Sequence, residues 1–173
     1  MENSNNVSTK SVAVKYGLIS GLVGIIFFVL LDFIGQAANN KISWIGLIFT
    51  AIIMVMAHKE FKSSGDGFMS YKQGLGLGTI MSVVGSVISS VFTFFYVKFI
   101  SPEFIDVIKE QQIMEMEKSG MSDAEIDQAM SVAAMFMGPT AMMVIGLIMG
   151  VLLGFIIALI VSAFTKKERQ ELV

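Results

Sequence analysis

The chain has 173 residues, 54% of them hydrophobic and 15% charged, with a mean hydropathy of +0.74 and a formal net charge of −2. Soluble domains carry roughly 25% charged residues, so the composition excludes a soluble globular protein and points to a membrane. The absence of cysteine excludes disulfides and thiolate metal sites, and the acidic balance excludes a nucleic-acid surface.

A helix crosses a hydrocarbon core of roughly 30 Å with about 20 apolar residues. Four stretches approach that length. They predict an all-α, single integral membrane domain: a four-helix bundle with an extramembrane helical insert between the third and fourth spans. The first span covers residues 12–34, with Lys15 snorkelling to the interface. Its basic start and Gly35-Gln36-Ala37 resemble a signal peptide, but the apolar run is long for one and Asp32 interrupts it before the site, so it reads as a retained span. Asp32 is the one acid close to a span. Its place after the apolar run predicts an anchor at the outer interface, in reach of Lys41 or Lys98, with a proton or ion site as the alternative.

The second span, residues 42–57, is the shortest and crosses only if its polar flanks reach outward. It runs into His58, the single histidine, which lacks the companions a metal site requires. The third span, residues 74–100, carries Gly74, Gly78, Ser82, Ser86 and Ser90 at every fourth position. The fourth, residues 139–164, carries Gly146, Gly150, Gly154, Ala158 and Ser162 in the same way and holds no charge. In lipid, helices associate by close backbone approach, which small residues at this spacing permit. The two spans are therefore expected to pack on each other. The alternative is that the serines line a polar path.

Between them, residues 101–138 hold eight acidic residues against Lys109 and Lys118. The segment reads as two helices broken at Ser119-Gly120. The second opens on a capping box, Ser122-Asp123-Ala124-Glu125, followed by an apolar stripe of Ile126, Ala129, Met130, Ala133, Phe136 and Met137. Gly138-Pro139 then starts or kinks the last span. Eight of the 14 methionines lie between Met114 and Met143. Without cysteine or histidine beside them they read as flexible packing rather than a copper site, and no cofactor is expected.

Basic residues divide by side. Lys10, Lys15, Lys59, Lys62, Lys72, Lys166, Lys167 and Arg169 fall at one face, Lys41, Lys98, Lys109 and Lys118 at the other. The bias toward the first face predicts both termini in the cytoplasm. Phosphate-loop, triad and metalloprotease patterns are missing, so no enzyme is expected.

Four stretches carry a likeness beyond these patterns: Gly67-Phe68-Met69-Ser70-Tyr71-Lys72-Gln73-Gly74, Pro102-Glu103-Phe104, Ser119-Gly120-Met121-Ser122-Asp123-Ala124-Glu125-Ile126 and Ser162-Ala163-Phe164-Thr165-Lys166-Lys167. In order and spacing they resemble the bacterial membrane-protein family catalogued as domain of unknown function 4199, over nearly the whole chain. The resemblance implies a four-span protein of the bacterial inner membrane and supplies no activity. The expected function is non-enzymatic, with the 101–138 lobe docking a second copy or another membrane protein; a small transporter or channel subunit using Asp32 and the third-span serines is the alternative.

Overall fold

Seven α-helices and two short turns of other helical type account for almost all of residues 8–168, the part of the chain that the computed structural model describes. They are α1 (Thr9–Phe33), α2 (Asn40–Ser43), α3 (Ile45–Ser64), α4 (Tyr71–Phe95), α5 (Phe104–Lys118), α6 (Asp123–Ala133) and α7 (Pro139–Thr165). A π-helical turn, Tyr96–Ile100, follows α4, and a 3₁₀ turn, Ala134–Phe136, follows α6. Arg169 lies outside the described residues.

Among the described residues, three helices are long and apolar enough to cross a membrane: α1, α4 together with its π turn, and α7. The stretch that predicts a second span is arranged differently. Its first residues belong to α2, and the helix is interrupted by one turn residue, Trp44, before α3 begins. The apolar part of α3 then runs from 45 to 57, about 20 Å of helix at about 1.5 Å per residue. His58, Lys59, Glu60 and Lys62 occupy the same helix beyond it, so the charge of its last turns keeps α3 out of that set.

The helix ends follow local chemistry. Ser70 and Gln73 form a capping box at the start of α4: Ser70 Oγ accepts from the Gln73 N–H at 3.2 Å, and Gln73 Oε1 from the Ser70 N–H at 2.8 Å. This places the helix start three residues before the apolar run at Gly74. Pro139 opens α7 at its first position, where a missing N–H costs nothing. Between α5 and α6, Gly120 takes φ +83°, a left-handed conformation that a side chain would oppose.

The packing forms a ring. α4 lies against α1 on one side and α7 on the other, while α3 bridges α1 and α7 and meets α4 much less. The buried core sits at one end of this ring, where Val12, Ala13, Met54, Ala57, Phe61, Leu77, Met81 and Ala158 close together. Outward, α1, α3, α4 and α7 all present large apolar side chains. On α4 these are Val83, Val87, Val91 and Phe95, four residues apart and away from the small-residue row. An apolar surface of this extent belongs in lipid or against another apolar body.

Candidate functional site

The site grows out of the contact between α4 and α7, which run antiparallel and meet rung by rung. A methyl group placed on Gly74 would lie 3.0 Å from Ser162 Oγ. One on Gly78 would lie 2.7 Å from Ala158 Cβ, and one on Gly150 2.5 Å from Ser86 Oγ. Gly154 faces Ser82 most tightly, and Gly146 faces Ser90 at 3.5 Å. Each rung contains one glycine. It belongs to α4 in the first two rungs and to α7 in the last three, so the helices stay close although the supplier changes. The contact recurs every fourth residue, more than the 3.6 of one turn, which coils the two helices about each other right-handedly. The same device joins α1 to α4. Gly17 lies under Val84 and the Met81 carbonyl, Gly21 under Ile88 and Gly85, and Gly24 beside Ser89.

Two close contacts on α4 leave a gap where α3 would reach it. The gap is a cavity of about 180 Å³ on the axis of the ring, walled by all four long helices. Six hydroxyls border it: Ser20 from α1, Thr50 from α3, and Ser82, Ser86, Ser89 and Ser90 from α4. Ser82 and Thr50 return their protons to the carbonyls of Gly78 and Gly46, at 2.8 and 3.1 Å. Ser90 is 6% exposed, yet neither it nor Ser86 has a hydrogen-bond partner among the described residues. One layer away, Met54 is fully buried against Gly78 and plugs the axis.

Asp32 is not on this cavity. At the other end of the ring, its Oδ2 accepts a 2.6 Å hydrogen bond from the Tyr96 hydroxyl. The sequence points to Lys41 or Lys98 as its neighbour. Lys98 instead stands over the rings of Phe94 and Phe99, at 5.2 and 5.3 Å from their centroids. Tyr96 still continues α4, its N–H bonded to the Phe92 carbonyl, and the π turn, closed by the Ser101 N–H on the Tyr96 carbonyl at 2.9 Å, shifts the angular positions after it, that of Lys98 included. Phe28 forms edge contacts with Phe92, Tyr96 and Phe104, at 6.4, 5.3 and 5.4 Å. Phe104, 4% exposed, thereby fastens the start of α5 to the bundle.

Beyond Phe104 the α5–α6 lobe is held lightly. Glu125 reaches back to the Ser122 N–H at 2.8 Å and hydroxyl at 2.7 Å, closing the capping box. Those bonds, the hydroxyl foremost, hold its carboxyl below the usual range. Ile126 and Met137 are buried, whereas Val132, Met135 and Phe136 are more than half exposed. A groove of about 460 Å³ runs beneath the lobe. Ile105, Ile108 and Gln112 of α5, Phe136 and Met137 beyond α6, and Met142 of α7 form much of its wall. Gly146 borders both this groove and the axial cavity.

The basic end is tied by polar contacts across the chain. Lys15 pairs with Glu60 at 2.7 Å, and the Tyr16 hydroxyl donates to the same carboxylate at 3.0 Å. Met69 and Lys167 exchange two backbone hydrogen bonds, each 2.9 Å, and Lys62 donates to the Thr165 carbonyl at 2.7 Å. His58 is fully buried, with Nε2 3.1 Å from the Gly74 carbonyl and Nδ1 2.7 Å from Thr165 Oγ1. A carbonyl only accepts, so Nε2 carries the proton and Nδ1 faces the Thr165 hydroxyl. Burial pushes the imidazole pKa down to about 4, so the ring is neutral. Among the described residues no three His, Cys, Asp or Glu side chains converge as metal ligands.

A family model described as a protein of unknown function (DUF4199) matches residues 15–167. No curated protein and no solved structure matches the chain.

Proposed function

Because the chain belongs to the DUF4199 family of proteins of unknown function, a description that names no activity, we propose its function from geometry: a multi-pass protein of the bacterial cytoplasmic membrane, non-enzymatic, whose 101–138 lobe is an interaction surface. The fourth span is α3. Its outward residues Ile48, Ile52, Val55 and Met56 are as apolar as those of its neighbours, and its polar last turns sit at the basic end with the charges that open α1 and follow α7. Both termini lie on the cytoplasmic side by the distribution of lysines. The 101–138 lobe then stands outside.

One observation carries the interaction reading. Met135 is 76% exposed and lies beside exposed Val132 and Phe136 on a lobe anchored chiefly through Phe104. Apolar side chains displayed this way on a helix end serve to dock another protein, and methionine adapts to its shape. The occupant is a second copy of the chain or another membrane protein. Since the chain has no cysteine, a single Met135→Cys variant tests this directly. A bifunctional crosslinker applied to native membranes is expected to yield one discrete larger species; monomer alone would overturn the reading.

The axial cavity favours a second reading, a small transporter or channel subunit using the third-span serines. Asp32 has no place in it, because its carboxylate is engaged by Tyr96 and does not border the cavity. Flux of a small solute into vesicles holding the pure protein, against empty vesicles, separates the two: equal flux removes the transport reading and leaves the docking one.

A further inference from the structure

The axial cavity differs from an ordinary packing defect in three respects. Its wall carries six hydroxyls, no charged side chain borders it, and all four long helices contribute. Empty cavities inside proteins are apolar, whereas a space lined by polar groups holds water when it is roomy enough. Here each water needs about 30 Å³, and about 180 Å³ is present, so the space takes several. Ser86 and Ser90 supply the second requirement. They are hydroxyls that border the space without a protein partner, Ser90 on a residue only 6% exposed and Ser86 partly buried, so water there would supply the bond each lacks. The side chains also dictate what is refused. Neutral hydroxyls offer no counter-charge to an ion, and the rest of the wall is glycine together with Leu47, Leu153 and Ile157.

The two ends of the cavity differ. Toward the basic end Met54 and Ala158 close the axis around Gly78. Toward the lobe the wall is Gly146, which the groove under α5 shares. With no side chain there, only the Ser90 hydroxyl comes near, at 3.5 Å from where a Cβ would sit.

We propose that this space is a hydrated chamber within the membrane, a site for water and small neutral hydroxylated solutes, entered from the lobe side past Gly146. The proposal rests on the reading of α1, α3, α4 and α7 as membrane spans.

The test is thiol accessibility in sealed vesicles of phosphatidylethanolamine and phosphatidylglycerol. Single cysteines replace Ser86 or Thr50 on the chamber wall, and Val87, one residue from Ser86 but facing outward. The probe is 2-hydroxyethyl methanethiosulfonate, small, neutral and hydroxylated. It reacts with thiolate, which forms in water and is suppressed in apolar surroundings, so S86C and T50C are expected to react about tenfold or more faster than V87C. Equal, slow reaction of all three would show a dry chamber and overturn the proposal. Equal, fast reaction would show that α4 is not in hydrocarbon, overturning the spanning reading and the proposal with it. Adding Gly146→Val to S86C is expected to slow its modification several-fold; an unchanged rate would overturn the entry route. The paired use of Ser86 and Thr50, on different helices, keeps the result readable if one variant fails to fold.

Discussion

Ser82 on α4 and Gly154 on α7 face each other so closely that a Cβ on the glycine would fall onto the serine side chain. Their rung is the tightest of five, and it joins residues 72 positions apart in sequence. It predicts a destabilised Gly154→Ala, by about 1–3 kcal/mol, the usual cost of overpacking. The double variant S82G/G154A restores one glycine to the rung and should recover most of the loss. Gly76→Ala is the control, since a Cβ there meets nothing within 4 Å. Thermal unfolding in detergent checks all three; a double variant no better than G154A would remove the one-glycine rule.

Ser162 predicts a gain. It is fully buried and its hydroxyl has no partner among the described residues. An unmade hydrogen bond in a buried place costs about 1–3 kcal/mol. Ser162→Ala deletes the hydroxyl and leaves the rung with Gly74 intact, so the melting temperature should rise; a fall would mean that the hydroxyl has a partner.

His58 predicts an acid-sensitive fold. Its ordinary pKa is about 6.5 and burial lowers it to about 4 in the folded chain, so between these values the unfolded chain binds a proton that the folded chain refuses. Stability is therefore complete above about pH 6.5 and declines as the pH falls toward 4. His58→Gln keeps polar contacts to Thr165 and Gly74 without titrating. Stability measured across that window should slope less in H58Q than in the parent, and parallel slopes would discount the imidazole.

The Tyr96–Asp32 bond predicts unequal effects of two small changes. Tyr96→Phe leaves a part-buried carboxylate without its 2.6 Å donor, at about 1–3 kcal/mol. Asp32→Asn keeps an acceptor and should cost less. Chemical denaturation in detergent ranks them; a harmless Y96F would make the contact incidental.

Phe104 predicts a separable lobe. Phe104→Ala removes its edge contact with Phe28. Amide exchange should then quicken across α5 and α6 while α4 and α7 stay protected, because the lobe opens as its own unit. Uniform exchange along the whole chain would instead make Phe104 part of the common core.

What the sequence shows and hides follows from the range of each interaction. α7 is legible as an unbroken apolar run, and the α5–α6 break at Ser119-Gly120 as a helix end with its capping box, because these depend on neighbours within a few residues. The start of α4 at Tyr71 is equally local, but its signal, Ser70 with Gln73 three residues on, is hidden behind the more conspicuous glycines from Gly74. Four-residue spacing is visible on each helix separately. Which Ser82 or Ser86 stands against which glycine is not, because no local rule aligns α4 with α7. The same reason conceals the pairing of Lys15 with Glu60 and the bond from Thr165 to His58. The partner of Asp32 is hidden for the same reason, since Tyr96 lies 64 residues further along the chain and only the packing of α1 on α4 brings the two together. The cavity is the least legible feature, since it is the space left by contacts elsewhere.

The backbone pair Met69–Lys167 has a consequence for how the chain avoids slipping. In every rung between α4 and α7 the two residue numbers add to 236, and so do 69 and 167. A row repeated every four residues is degenerate: sliding α7 by one rung would set Gly78 on Gly154, Ser82 on Gly150 and Ser86 on Gly146, each still with a glycine. Small side chains therefore grant closeness without choosing among registers. The choice falls to the non-repeating end, where two directional hydrogen bonds and the His58–Thr165 contact admit a single alignment. The basic end is thus the index mark of an otherwise unnumbered scale, and disturbing it should yield misregistered bundles rather than unfolded ones.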